Sequence, residues 1–521
     1  MVSPVARSHA GFSAPQIGGL ALVLLVITST PLWTHVLPPQ SDYVNHLARM
    51  HIIARLNSDA LLSKYYEIEW QIIPNLMMDL VVPFIERWTS VYFAGQLFTF
   101  LTFVLIVGGV LALNRSLFGR WSPLPLLCLP FLYNHIFLLG LMNYLFGVGL
   151  SIIALSAYVV LRERWLARLA VSTAFVLLLF FCHLFAVGIY GMGVLALEIE
   201  HALAKRERWP RVLRNLIVSG LPFLVCVPLL LMSPTRQLAS EFWWEPQGKF
   251  TGLAYAIETY SDTIAAVLVG SIGAAAIWLR GTNLLKVHPF GWVFLAIAAI
   301  VYLAMPRVLF ASYIADQRLP IAILFILLAT FQVKLHPRRV RRGFIALLLL
   351  LVAVRVIEVD VAWSELSTTS SQFKSSVRRM KPGAKVLVAY GDRTGGSEAV
   401  DLGLVHAACL AIIERGALVT TVFAVSGKQV LRIRPDYRDR VDTLDGTPPS
   451  IHEVLLSAEE WNRPEPAYWR DWRRNFDYLY VIFTDPDDPD PAPNYLTPVF
   501  AGDRFKLYQI IKPPEQRSGP Q

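Results

Sequence analysis

Apolar residues in this chain come in long unbroken runs, separated by short polar stretches. The runs are Gln16–Leu37, Val91–Leu113, Ser122–Leu139, Asn143–Leu161, Arg168–Cys182, Leu184–Glu200, Val212–Met232, Thr263–Leu279, Pro289–Met305, Leu319–Val333 and Phe344–Val359. Several reach the roughly 18 residues needed to cross about 30 Å of hydrocarbon. They predict about eleven membrane-spanning helices. The first run is long for a signal peptide and lacks a clean small-x-small cleavage site, so it reads as an anchor helix. The stretch Arg168–Glu200 reads either as one long helix or as two short ones turning near His183.

Charge placement decides between these. Arg115 and Arg120, then Arg162, Arg164 and Arg168, then Lys205, Arg206, Arg208, Arg211 and Arg214 fall in alternate loops. Arg280 with Lys286, and Lys334 with Arg338, Arg339, Arg341 and Arg342, continue the series. Basic loops mark the cytoplasmic side. The alternation requires Arg168–Glu200 to cross twice, and it predicts a cytoplasmic N-terminus and an extracytoplasmic C-terminus.

Composition agrees with a membrane protein. Of the 521 residues 55% are hydrophobic and only 16% charged, against about 25% charged in soluble domains. The net charge of +9 is accounted for by the topological loops, so nucleic acid is not an expected partner. Cys128, Cys182, Cys226 and Cys409 form no C-x-x-C pair and read as small hydrophobes, with neither a disulfide framework nor a zinc site.

After Val359 the pattern changes. Lys385–Tyr390, Leu418–Phe423, Tyr478–Phe483 and Phe505–Ile511 read as strands, and Leu404–Arg415 as a helix stopped by Gly416. The Asp/Pro tract Asp485–Asn494 reads as a solvated loop. The predicted fold is a polytopic α-helical membrane domain over residues 1–359, with a juxtamembrane loop at 38–90, followed by an extracytoplasmic α/β domain over 360–521.

The most informative polar segment follows the first run. Asp42, Asn45, His46 and Arg49 recur at spacings of three and four and share one face of an amphipathic helix, with Val44, Leu47, Ile52 and Leu56 on the apolar face. Such a helix lies at the membrane surface, where headgroups and lipid-linked substrates sit. Asp42 fits a general base or a metal ligand, and Arg49 can grip phosphate with two parallel bonds. The same residues also fit a solvated face whose N-terminus Asp42 caps. Further polar residues fall near outer helix ends: Asn75 and Asp79, Asn134 and His135, Asn143 and Tyr144, His183, and Arg307, Asp316 and Arg318. Ionisable groups are costly in a membrane, which marks these as candidates for one outward cavity. Arg318, at a helix start, is placed to meet an anionic headgroup or diphosphate. In the loop Ser233–Asp262, Glu241 or Glu245 is a candidate second carboxylate, and Trp243 and Trp244 are candidates for an interfacial belt or for stacking on a sugar.

No P-loop, GxSxG, HExxH or dinucleotide fingerprint is present. The layout resembles the GT-C superfamily of membrane glycosyltransferases, which includes protein O-mannosyltransferases, bacterial aminoarabinose transferases and oligosaccharyltransferase catalytic subunits. The resemblance rests on an acid in the first outer loop (Asp42), a juxtamembrane helix, Arg318 near a late helix end and the terminal soluble domain. Phe137–Leu150 (FLLGLMNYLFGVGL) is also similar to uncharacterised bacterial membrane proteins grouped with such enzymes. Many members carry paired acids where this chain has Ser41-Asp42, which leaves Asp42 as a lone base and a divalent metal as an open alternative.

The resemblance implies sugar transfer from a polyprenyl-phosphate donor to a glycan, lipid or protein acceptor at the outer face of a bacterial inner membrane. Asp42 and His46 would serve catalysis. Arg49, Asn45, Asp79, His183, Glu245, Arg307, Asp316 and Arg318 would serve substrate binding. The alternative is a non-catalytic transporter or scaffold of envelope polysaccharide or lipid assembly. Transporters favour inverted repeats and midplane sites, and neither is visible here.

Overall fold

The computed structural model describes residues 12–238, 243–310, 312–335, 337–391, 395–441, 446–456 and 467–514. They form two compact units. One comprises the chain up to Thr34, Ile72–Met78 and Gln96–Val361; the other comprises His35–Gln71, Asp79–Gly95 and the chain from Ala362 onward.

The first unit is helical and belongs in a membrane. Among the described residues six helices are long and apolar enough to cross: Val91–Phe118, Met142–Val160, Trp165–Cys182, Leu184–Lys205, Trp209–Met232 and Asp262–Gly281. Shorter apolar helices occupy Ala14–Thr28, Pro289–Ala304 and Leu319–Ala329. Met142–Val160 is 67% buried within the protein, whereas Asp262–Gly281 is 11% buried and Trp209–Met232 17%. The last two therefore offer their apolar side chains to lipid.

The stretch Arg168–Glu200 is two helices. His183 breaks it: its backbone is extended, and its Nδ1 accepts from Phe185 N at 3.2 Å, starting the next helix. The run Ser122–Leu139, expected as a span, is not a continuous helix. Leu124–Phe131 is a 3-10 helix and His135–Leu138 a single short turn. Pro123, Pro125 and Pro130 remove the backbone donors that a longer α-helix requires. Deep in this unit the Arg355 guanidinium bonds Glu358 at 2.7 Å and Pro130 O at 3.0 Å, while Glu358 Oε1 accepts from Tyr260 N and Ser261 N. Paired charge is the form in which a buried arginine is tolerated.

The second unit is built on a five-stranded sheet in the order Leu418–Val419, Lys385–Tyr390, Tyr478–Ile482, Phe505–Ile510, Leu496–Ala501. The first three strands are parallel and the last two join antiparallel. Alternation sends Val386 and Val388 to one core and Leu387 and Ala389 to the other. Gly416 stops the Leu410–Arg415 helix at φ 58°, a left-handed conformation that suits glycine. Helix residues begin later than expected, because 402–404 and 407–409 are 3-10 turns. Leu496–Ala501 is a further strand that carries Pro498; it lies at the sheet edge, where a missing donor is tolerated. In the Asp/Pro loop the Asp488 carboxylate accepts from Thr484 Oγ1 at 2.6 Å and Asp485 N at 2.7 Å, and so holds its own turn.

Most of the juxtamembrane segment, His35–Gln71 and Asp79–Gly95, is part of this unit. The helix Tyr43–Arg55 supplies Val44, Ala48 and Ile52 to the sheet's core. Tyr66–Ile68 pairs antiparallel with Leu431–Ile433. All four cysteines are buried and in no disulfide.

Candidate active site

In the second unit the candidate residues sit on and before the helix Tyr43–Arg55. Every residue from Tyr43 to Met50 is buried. The polar face predicted to meet a membrane surface instead finds partners inside the unit. Arg49 is 1% exposed and bonds Asp79 through Nε at 2.7 Å and Nη2 at 3.2 Å, a two-pronged pair. Its Nη1 donates to His46 Nδ1 at 3.2 Å, which leaves the His46 proton on Nε2. Burial first, then the Arg49 charge and then His406 hold the His46 imidazole well below its usual pKa, so it is neutral. Asn45 uses both ends of its amide on backbone: Nδ2 donates to Thr421 O at 2.8 Å, and Phe423 N donates to Oδ1 at 3.0 Å. Asn45→Ala strands these two backbone groups, at about 1–3 kcal/mol each. A lowered thermal unfolding midpoint is expected, with Asn45→Asp intermediate because it still accepts from Phe423.

Asp42 stands at the N-cap position of this helix, yet its side chain makes no capping bond. Its carboxylate is 25% exposed and lies 3.6 Å from His406 Nε2. Ser41 Oγ is 3.5 Å away. The Tyr390 phenol is pushed up in pKa by burial and by the Asp42 charge. His406 is buried, which lowers its pKa to about 4. The Phe423 ring faces both imidazoles, 4.7 Å from His406 and 5.9 Å from His46. The result is an acid with solvent access, backed by two neutral imidazoles and an aromatic ring. Among the described residues no group of three or more His, Cys, Asp or Glu gathers as metal ligands.

In the membrane unit a second set gathers around residues 305–318. Arg318 Nη1 meets His183 Nε2 at 3.1 Å, and Nη2 donates to Tyr313 O at 2.8 Å. Tyr144 donates to the Arg318 carbonyl at 2.6 Å. Lys249 Nζ bonds the fully buried Asp316 at 2.9 Å and also donates to Met305 O. The Arg307 guanidinium lies 3.5 Å from Glu245 Oε1 and 3.9 Å from Asp316 Oδ1, and 5.2 Å over the Tyr313 ring. Its Nε and Nη1 are buried without a hydrogen-bond acceptor among the described residues. Arg307 and Lys249 therefore share the Asp316 carboxylate, and Arg307 also meets Glu245. Asn143 is used structurally, its Oδ1 accepting from Met78 N at 2.7 Å and its Nδ2 donating to Asn75. Trp244 donates to Leu303 O at 2.7 Å. Glu241 lies outside the described residues.

No protein-family model and no curated protein sequence matches this chain. Solved structures do. The crystal structure of ArnT from Cupriavidus metallidurans bound to undecaprenyl phosphate aligns with a TM-score of 0.50 at 12% identity, covering 98% of this chain and 100% of that one. The same protein in the apo state aligns with a TM-score of 0.51 at 13% identity, covering 95% and 97%. ArnT is a GT-C glycosyltransferase. This chain has the fold of that protein.

Sequence reasoning named most charged members of both sets but missed His406, Phe423, Tyr390 and Lys249. His406 and Phe423 reach the Asp42 helix from more than three hundred positions away, and no local spacing signals that. Lys249 lies in the Ser233–Asp262 loop. Its partner Asp316 was named, so the missing signal was the pairing.

Proposed function

We propose that this GT-C fold protein is a glycosyltransferase using a polyprenyl-phosphate sugar as donor and a glycan, lipid or protein of the envelope as acceptor. The observation that carries the reading is the near full-length likeness to a transferase structure that holds undecaprenyl phosphate. The basic loops support a bacterial inner-membrane setting with the second unit on the periplasmic side.

In the proposed reaction Asp42 accepts the proton of the acceptor hydroxyl. That oxygen attacks the anomeric carbon as the bond from carbon to the phosphate oxygen breaks, with inversion. The leaving polyprenyl phosphate gains negative charge, which Arg318 and Arg307 stabilise. Arg307 supports this role through its two buried donors that lack acceptors among the described residues. His183 orients Arg318, while Asp316 and Glu245 hold Lys249 and Arg307 in place. Asn45, His46, Arg49 and Asp79 fix the helix that carries Asp42.

The test is kinetic. The protein in nanodiscs is given polyprenyl-phosphate sugars and envelope extract, and released polyprenyl phosphate is quantified. Arg307→Gln and Arg318→Gln are each expected to raise the donor KM about tenfold or more, the worth of a charge-assisted hydrogen bond. Wild-type kinetics in both variants would remove these arginines from donor binding.

A further inference from the structure

We propose that the second unit carries a carbohydrate-binding site at the carboxyl ends of its parallel strands, and that this site holds a glycan acceptor. The acceptor role rests on the proposed transfer; the binding of sugar does not. The chain leaves the strand Lys385–Tyr390 for Leu418–Val419 on one side of it and returns to Tyr478–Ile482 on the other. In open parallel sheets such a reversal leaves a crevice beyond the strand ends, where ligands bind. A cavity of about 350 Å³ begins there, at Gly391 and Phe483, the residues that follow the two strands. A second cavity, of about 460 Å³, is lined among others by Pro39, Glu398 and Asp401. Arg504 lines both. Each volume falls in the ~300–1,000 Å³ range of small-molecule sites.

Packing fixes the walls. The Arg504 carbonyl accepts from Phe483 N at 2.9 Å, which ties the arginine to the strand ends. Its Nη2 bonds both oxygens of Asp401, at 3.1 and 3.3 Å. Phe483 holds a left-handed φ of 60°, uncommon for an aromatic residue. The loop makes room for it, since a Cβ on Gly391 or Gly395 would run into Phe483.

The chemistry of these walls suits a sugar. A carboxylate accepts hydrogen bonds and a guanidinium donates them. Held side by side, Asp401 and Arg504 match neighbouring sugar hydroxyls, each of which is both donor and acceptor. Glu398, exposed on the same wall, adds a further acceptor. Leu366, Val400 and Leu404 give the cavity an apolar side for the C–H face of a ring. Charge selects the class of sugar. Glu398 and Asp401 outweigh Arg504 in the larger cavity, as Asp485 and Asp488 do in the smaller. Phosphorylated or uronic acid sugars are therefore repelled, and neutral or amine-bearing ones are accommodated. The place suits an acceptor as well. Pro39 is three residues before Asp42, a span of at most about 11 Å. Gly403, also on the wall, packs so closely on Pro39 that an added Cβ would stand 2.9 Å from the Pro39 Cα.

The test is binding, without donor. Oligosaccharides released from an envelope extract are separated by charge into a neutral and amine-bearing fraction and an anionic fraction. Each is passed over the full chain immobilised in nanodiscs, and retained sugars are quantified by mass spectrometry. The first fraction is expected to be retained and the second not. Glu398→Gln and Ser397→Trp change exposed positions on the cavity wall. The first removes a charged acceptor and the second fills the space. Each is expected to weaken retention about tenfold or more, the worth of a hydrogen bond to a charged group, with the unfolding midpoint unchanged. Retention of neither fraction by the wild type, preference for the anionic fraction, or wild-type retention by both variants overturns the proposal. Donor turnover separates the two readings. Release of polyprenyl phosphate by a protein that retains no sugar leaves the transfer standing and removes this site. Retention that both variants weaken, with no release of polyprenyl phosphate, leaves the carbohydrate site and removes the transfer.

Discussion

Asp42→Asn is expected to leave the protein folded and to lower donor turnover by about 10²–10⁴-fold, the contribution typical of a positioned general base. The fold is expected to survive because the side chain makes no helix-capping bond, and because the helix behind it is held by Asn45, Arg49 and Val44. The amide keeps the size of the acid and cannot accept the acceptor's proton. The loss should fall on kcat, with donor KM little changed, since donor binding is assigned to Arg318 and Arg307. Turnover and the unfolding midpoint, measured on one preparation, check both halves. A folded variant with full turnover would remove Asp42 from the chemistry.

Asp79→Ala is expected to be the most damaging single change to stability, at about 3–5 kcal/mol, because it leaves the Arg49 guanidinium buried and unpaired. Arg49 is 1% exposed and Asp79 3%, so water cannot replace the lost carboxylate. The pair is not expected to be irreplaceable. Apolar side chains of similar volume often substitute for a buried ion pair at little cost, so Arg49→Met combined with Asp79→Leu should recover most of the loss. Thermal unfolding of the single and double variants measures this. A double variant no more stable than the single one would mean that the charges do more than satisfy each other.

The membrane unit was largely legible because bilayer length is written into uninterrupted apolar runs. The break at His183 was also legible, through the alternation of charge. The segment Ser122–Leu139 misled because hydropathy counts its prolines without weighing the backbone donors they lack. In the second unit the strands Lys385–Tyr390, Tyr478–Ile482 and Phe505–Ile510 announced themselves as short apolar runs, whereas Leu418–Phe423 is a strand only over Leu418–Val419. Beyond it, Thr421 and Phe423 bond to Asn45 instead of to a neighbouring strand.

The polar face of the Tyr43–Arg55 helix was legible as a cluster and misread as a membrane-facing one. Periodicity says which residues share a face and not what covers it. Asp79, Thr421 and His406 cover or adjoin it, and the last two come from beyond residue 400. Arg49 shows the consequence: its spacing fitted phosphate recognition, and its bonds go to Asp79 and His46.

The most direct test of the central claim is whether purified protein in nanodiscs turns over a polyprenyl-phosphate sugar when envelope extract supplies the acceptor. The account predicts that free polyprenyl phosphate accumulates together with a glycosylated product, and that both disappear in Asp42→Asn. Binding of the lipid with no turnover under any acceptor, or turnover independent of Asp42, would contradict it.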